Sequence, residues 1–215
     1  MSTSQIIGVA LIPTAIGVFV APLLARFADR PCPMLNRWLV AAVSGLTGGF
    51  AAVIASNPVE LITFVILAIG CGWLALVDLA TYRLPNRLVL PLYGIAILGL
   101  GWNAIAAADP GRLLAAVITG AAILAGYFLL GLATGRLGLG DVKLAGLIGL
   151  TLGWAGVPQT VLGVLGGFAV GAAVAAGLLI TRRTDRKADF PFGPSMIAGA
   201  VLGLIFGPTI LPALG

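Results

Sequence analysis

Leu113-Leu114-Ala115-Ala116-Val117-Ile118-Thr119-Gly120-Ala121-Ala122-Ile123-Leu124-Ala125-Gly126-Tyr127-Phe128-Leu129-Leu130-Gly131-Leu132-Ala133-Thr134 carries no charged side chain. A helix rises about 1.5 Å per residue and the hydrocarbon core of a bilayer is about 30 Å thick, so about 20 apolar residues suffice to cross it. This stretch is long enough. Working outward from it, the same pattern recurs along the chain and gives about eight apolar segments. They are roughly 5–25, 38–56, 59–77, 88–107, 112–134, 142–156, 158–181 and 194–212. The sixth is short and is expected to be tilted or half-buried. Of the 215 residues, 60% are hydrophobic and 9% charged, with a mean hydropathy of +1.14. A soluble domain carries about 25% charged residues. The fold class is therefore all-α, a polytopic membrane protein, with residues 1–215 forming a single transmembrane domain.

The loops supply a test that the helices did not use. Residues 26–37, 78–87, 135–143 and 182–193 form one alternating set. They hold Arg26, Arg30, Arg37, Arg83, Arg87, Arg136, Lys143, Arg182, Arg183, Arg186 and Lys187, and Arg112 is the single basic residue elsewhere. Basic loops stay in the cytoplasm. That set is expected there, with both termini outside, in the inner (cytoplasmic) membrane. The pI near 9.9 is thus a matter of loop anchors beside lipid, and nucleic acid is not an expected partner. The first apolar run lacks a basic region before it, with Arg26 and Arg30 following it, and is expected to be a retained helix rather than a signal peptide.

There is no histidine, and the two cysteines are Cys32 and Cys71. Ser-His triads, histidine-based metal hydrolysis and a structural zinc site are excluded, and no metal or cofactor is expected. Many of the 31 glycines fall four apart, among them Gly45/Gly49, Gly131/Gly135, Gly163/Gly167/Gly171 and Gly199/Gly203/Gly207. That spacing lets helix backbones approach closely and predicts a tight bundle.

Chemistry must then come from carboxyl, hydroxyl, amine or backbone groups. Asp29, Asp185 and Asp189 sit among arginines, and Glu60 and Asp109 at outer helix ends; all five read as solvated loop charges. Two acids remain. Asp78 ends the third apolar segment, ahead of Leu84-Pro85-Asn86, where it pairs with Arg83 or does chemistry. Asp141 follows Gly138-Leu139-Gly140 and precedes Val142-Lys143-Leu144. It is a natural N-cap, and the preceding glycines permit positive φ and close approach of a second backbone. Both acids fall on the cytoplasmic side. Two carboxyls that meet share one proton; the ionised one draws a proton from water while the other protonates a scissile carbonyl. Such a pair needs neither metal nor covalent intermediate.

Three motifs in order resemble the type IV prepilin peptidase family of membrane aspartyl proteases. Asp78 is followed by Leu84-Pro85-Asn86 and Pro91. Gly138-Leu139-Gly140-Asp141-Val142-Lys143-Leu144 is similar to the family's Gly-x-Gly-Asp-x-Lys-Leu. Pro191-Phe192-Gly193-Pro194 opens the last helix. The resemblance implies that Asp78 and Asp141 are the catalytic pair, with Gly138, Gly140, Lys143, Pro85 and Asn86 as supporting or substrate-binding motif members. Lys143 either biases the pair toward ionisation or neutralises a nearby acid. The Pro-Phe-Gly-Pro turn is expected to be structural. The implied partners are prepilins or pilin-like proteins, whose short basic leader is removed at the cytoplasmic membrane face, commonly after a glycine, ahead of an apolar helix. Many family members carry two Cys-x-x-Cys pairs in a large first loop and also methylate the new N-terminus. Here that loop is about residues 26–37 with Cys32 alone, which counts against N-methylation and is closest to compact, peptidase-only relatives. Two other classes stay open at this point: a small proton-coupled transporter using the same carboxyls, and a non-catalytic assembly subunit of a pilus or secretion system.

Overall fold

The computed structural model describes residues 3–28, 32–135, 137–181 and 191–214. Asp29, Arg30, Arg136, Arg182, Arg183, Asp185, Arg186, Lys187 and Asp189, read above as loop charges, lie outside the described residues. Those described form eight α-helices: α1 Thr3–Leu24, α2 Arg37–Ile54, α3 Pro58–Thr81, α4 Asn86–Ala106, α5 Pro110–Thr134, α6 Leu139–Ala155, α7 Val157–Ile180 and α8 Gly193–Ile210. Three single 3-10 turns complete the secondary structure, and no strand occurs among the described residues. Seven of the eight helices are long and apolar enough to cross a membrane. The exception is α6, with 17 residues. It is buried on nearly every face, from Val142 through Trp154, as expected of a helix that is apolar all round.

The chain forms two compact units, one ending at Leu113 and the other beginning at Leu114. In the first, consecutive helices pack against one another, α1 on α2, α2 on α3 and α3 on α4. Caps set the helix starts. Asn36 Oδ1 accepts the Trp38 and Leu39 amides at 3.0 and 2.9 Å, and Asn57 Oδ1 accepts the Glu60 amide at 2.9 Å. Each removes an N–H that the first helical turn leaves unpaired. Trp73 Nε1 donates to Ser44 Oγ at 2.8 Å and ties α3 to α2. Ala21, Leu24, Leu35, Val40, Leu76 and Val77 form a buried cluster in which the end of α1, the start of α2 and the end of α3 meet.

One sequence expectation fails in this unit. Glu60 is not a solvated charge: it is 1% exposed. Its carboxylate accepts the Ser56 amide at 2.7 Å and pairs with Arg112 at 3.4 Å. The physical reason is local and distant at once. Asn57-Pro58-Val59-Glu60 is an N-cap followed at the third helical position by an acid that turns back onto free amides. Arg112, far along the chain, then compensates the buried charge. The one basic residue outside the basic loops is thus a structural partner. Asp109 keeps its expected place on the surface, and its Oδ1 accepts the Arg112 amide at 3.1 Å at the start of α5.

In the second unit the glycine spacing decides the packing. A Cβ on Gly199 would run into the Gly167 backbone, and one on Gly207 would lie 2.7 Å from Gln159 Cα. The α7–α8 seam is therefore backbone against backbone, as small residues four apart allow. Gly120 and Gly149 repeat this between α5 and α6, where a Cβ on Gly149 would sit 2.9 Å from Gly120 Cα. The pair Gly131/Gly135 behaves differently. Gly135 has φ +64° and nothing within 4 Å of an added Cβ. It ends α5 in a left-handed cap, its amide on the Gly131 carbonyl at 2.8 Å, and packs no helix.

Candidate functional site

Asp78 lies inside α3 rather than beyond it. The apolar run stops at Val77, but the helix continues to Thr81, because a charged residue costs a helix little while Pro85 forbids its continuation. Tyr82 closes the helix in the left-handed region, φ 54°, and its amide donates to the Asp78 carbonyl at 2.8 Å. Thr81 Oγ1 donates to the Val77 carbonyl at 2.8 Å and to that of Arg83 at 3.2 Å, fixing the turn. Pro85 then caps α4, its carbonyl accepting the Leu88 and Val89 amides at 2.9 and 3.2 Å, and Asn86 is the first residue of α4. Asp78 ends up 3% exposed, and Leu74 and Val77 in the same stretch of α3 are buried too. A carboxyl so placed is not a solvated surface partner for Arg83, and burial of this kind needs a reason. Toward the middle of α3, the first unit leaves an apolar groove of about 340 Å³ lined by Ile16, Ile66, Ile69, Trp73, Leu92 and Arg87.

Asp141 sits in the second unit, in the first turn of α6. The expected N-cap role is corrected by one turn of register: Gly138 is the N-cap and Asp141 the third helical residue. Its Oδ2 accepts the Gly138 amide at 3.3 Å. This is half of a capping box, since glycine has no side chain to return the bond. Burial pushes the Asp141 carboxyl above the usual carboxylate range, and the Gly138 amide pulls against that shift. The glycines do not owe their place to positive φ. Gly138 is extended at φ −72°, ψ 149°, and Gly140 belongs to the helix. A Cβ on Gly138 would lie 3.4 Å from Asp141 Oδ2, an ordinary contact. What the glycines leave is bare backbone beside a half-buried carboxyl. Lys143 follows two residues on, half-buried in the same helix.

The third motif is tied to the same unit. Phe192 precedes α8, and its carbonyl accepts the Met196 amide at 3.1 Å. Its ring lies 5.7 Å from that of Phe168 and 6.5 Å from that of Tyr127, and the Tyr127 and Phe168 rings stack at 5.4 Å. A Cβ on Gly171 would come 2.7 Å from the Phe192 ring. The Pro-Phe-Gly-Pro turn thus anchors α8 on α5 and α7. Tyr127 was passed over in the sequence because an aromatic in an apolar run reads as core; its one polar atom was the available signal. Among the described residues no group of three or more Cys, Asp or Glu that would hold a metal occurs.

The sequence of the type IV leader peptidase family matches residues 65–207, which include Asp78, Asp141 and all three motifs. A prepilin leader peptidase/N-methyltransferase of Stutzerimonas stutzeri is 28% identical over 174 residues, covering 80% of this chain and 59% of that protein. One from Burkholderia pseudomallei is 32% identical over 189 residues, covering 82% and 57%, and one from Aeromonas salmonicida 33% over 160 residues, covering 70% and 49%. The chain thus spans about half to three-fifths of the length of these curated relatives. No solved structure matches it. With a match across most of its length and the three motifs in order, the chain belongs to the type IV leader peptidase family.

Proposed function

We propose that this chain is an aspartyl endopeptidase that removes the short basic leader of prepilins or pilin-like proteins at the cytoplasmic face of the inner membrane. Residues 1–215 act as a single peptidase domain. The observation that carries the reading concerns the described acids. Asp78 and Asp141 are a buried and a half-buried carboxyl, each in a motif that lies within the residues matched by the family. Asp78 and Asp141 share one proton. The ionised member takes a proton from water as its oxygen adds to the scissile carbonyl, and the protonated member donates to that carbonyl oxygen. The C–N bond then breaks as the amine takes up a proton. The two titrate as a unit, so neither role belongs to one residue. Gly138 and Gly140 admit the substrate backbone beside Asp141; Lys143, Pro85 and Asn86 support the two carboxyl-bearing turns. The distribution of the basic loops supports a cytoplasmic side for this chemistry. The N-methyltransferase in the relatives' names is not assigned, because the loop between α1 and α2 holds Cys32 as its one cysteine.

The test is cleavage of a co-expressed prepilin by wild type, Asp78→Asn, Asp141→Asn and Asp109→Asn. The first two variants should insert normally and leave the leader uncut, while Asp109→Asn should cut it. Normal processing by either of the first two would end the assignment.

A further inference from the structure

Helix α5 lies along α6. A Cβ on Gly153 would meet Ala116 Cα at 3.0 Å, and one on Gly149 would meet Gly120 Cα at 2.9 Å, so the two helices run antiparallel in close register. The advance that leads from Gly120 to Tyr127 on α5 leads from Gly149 back to Val142 on α6, next to Asp141. Gly131, one turn beyond Tyr127 on the same face, has Leu137 at 3.5 Å from an added Cβ, just ahead of Gly138. Tyr127 is therefore level with the first turn of α6, which carries Asp141. The residue is 6% exposed, its ring held by Phe168 and Phe192. A buried tyrosine hydroxyl normally finds a hydrogen-bond partner. This one has none among the described residues, and its oxygen, unlike Gln159 Oε1, is not sealed from the surroundings.

We propose that the Tyr127 hydroxyl is a substrate-binding group of the peptidase site, donating a hydrogen bond to a main-chain carbonyl of the peptide that lies beside Gly138 and Asp141. The inference rests on the reading of Asp141 as part of that site. It gives the Pro-Phe-Gly-Pro turn a second consequence: Phe192 holds the ring that aims the hydroxyl. A phenol fixed by two aromatic neighbours presents its donor with little freedom left to lose, which suits recognition of a backbone common to any substrate sequence.

The experiment uses the full chain in detergent and a synthetic peptide with a short basic leader, a glycine at the cut and a following apolar segment. Tyr127→Phe keeps the ring and removes the donor. It should lower kcat/KM by about tenfold, the worth of one hydrogen bond, with Tm unchanged. In the Asp141→Asn background, where binding is read without cleavage, it should weaken the affinity for the same peptide to a similar degree. Tyr127→Leu removes the ring as well and should also lower Tm. A merely structural tyrosine would lose Tm in the leucine variant and nothing in the phenylalanine variant. If Tyr127→Phe cuts and binds within about twofold of wild type while Asp141→Asn is inactive, the role of Tyr127 is refuted and the peptidase reading stands. If Asp141→Asn cuts like wild type, the peptidase reading fails and this inference with it.

Discussion

Asp78 and Asp141 are the same side chain set in opposite surroundings. Asp78 belongs to the first unit, in the last turn of a membrane-length helix, at the end where backbone carbonyls run out of partners. It is 3% exposed, in a stretch of α3 where Leu74 and Val77 are also buried. Asp141 belongs to the second unit, in the first turn of a short helix, at the end where backbone amides are free, and it takes one of them. It is half-buried, with glycine backbone before it. The difference teaches that the role proposed for both would not require a shared design. One carboxyl is almost fully buried, and the other is half-buried and accepts the amide of the turn that carries it.

The largest expected effect tests whether the two are equal partners. Asp78→Asn and Asp141→Asn should each lower cleavage by about a hundredfold or more, since each removes a group that moves a proton in the proposed reaction. A variant that retains activity would break the comparison at once.

Lengthening each acid by one methylene separates packing from hydrogen bonding. Asp78→Glu places extra volume in a closed interior and should lower stability by about 1–3 kcal/mol as well as activity. Asp141→Glu has room and should keep its stability. Thermal unfolding of both variants in the same detergent decides this, and equal losses would show that the two sites are packed alike.

Gly138→Ala probes the bare backbone. The added Cβ makes only an ordinary contact at 3.4 Å, and φ −72° suits alanine, so stability should stay within about 0.5 kcal/mol of wild type. Cleavage should nevertheless fall, because the methyl group would occupy the space in which the proposed function lays the substrate strand. Unchanged cleavage would remove Gly138 from the substrate path.

The smallest effect concerns pH. Burial raises the Asp141 carboxyl, so the folded protein holds that proton more tightly than the unfolded chain. Stability from this group is therefore full below the unfolded value and is lost as pH rises through the folded one. Asp141→Asn should match wild type in acid and gain on it toward neutral pH, as Tm measured across that range would show. A gain in acid instead would reverse the sign of the burial effect.

Much of this was legible along the chain, for reasons that differ by residue. The apolar runs gave the helices because crossing a membrane is a local property of length and composition, and the glycines four apart gave the α7–α8 seam because close approach needs only missing side chains. The motifs drew attention to both aspartates. The depth of Asp78 was not legible: hydropathy stops at the charge, whereas the helix stops where Tyr82 turns left-handed and Pro85 bars continuation. The register of Asp141 was off because Gly138, with no side chain, leaves the cap and the acid turns back to it. Glu60 was misjudged because its partner, Arg112, is far away in sequence.

The sequence by itself determined a polytopic all-α protein, its basic loops, and the two carboxyls to examine, because hydrophobic length, charge placement and motif order are carried by neighbouring residues. Only the tertiary structure decided that Asp78 is sealed while Asp141 is half-open, that Glu60 is a buried ion-pair partner, and that Tyr127 is level with Asp141, its hydroxyl without a hydrogen-bond partner among the described residues. Burial and unspent hydrogen bonds depend on what other helices bring near, and no window along the chain contains that.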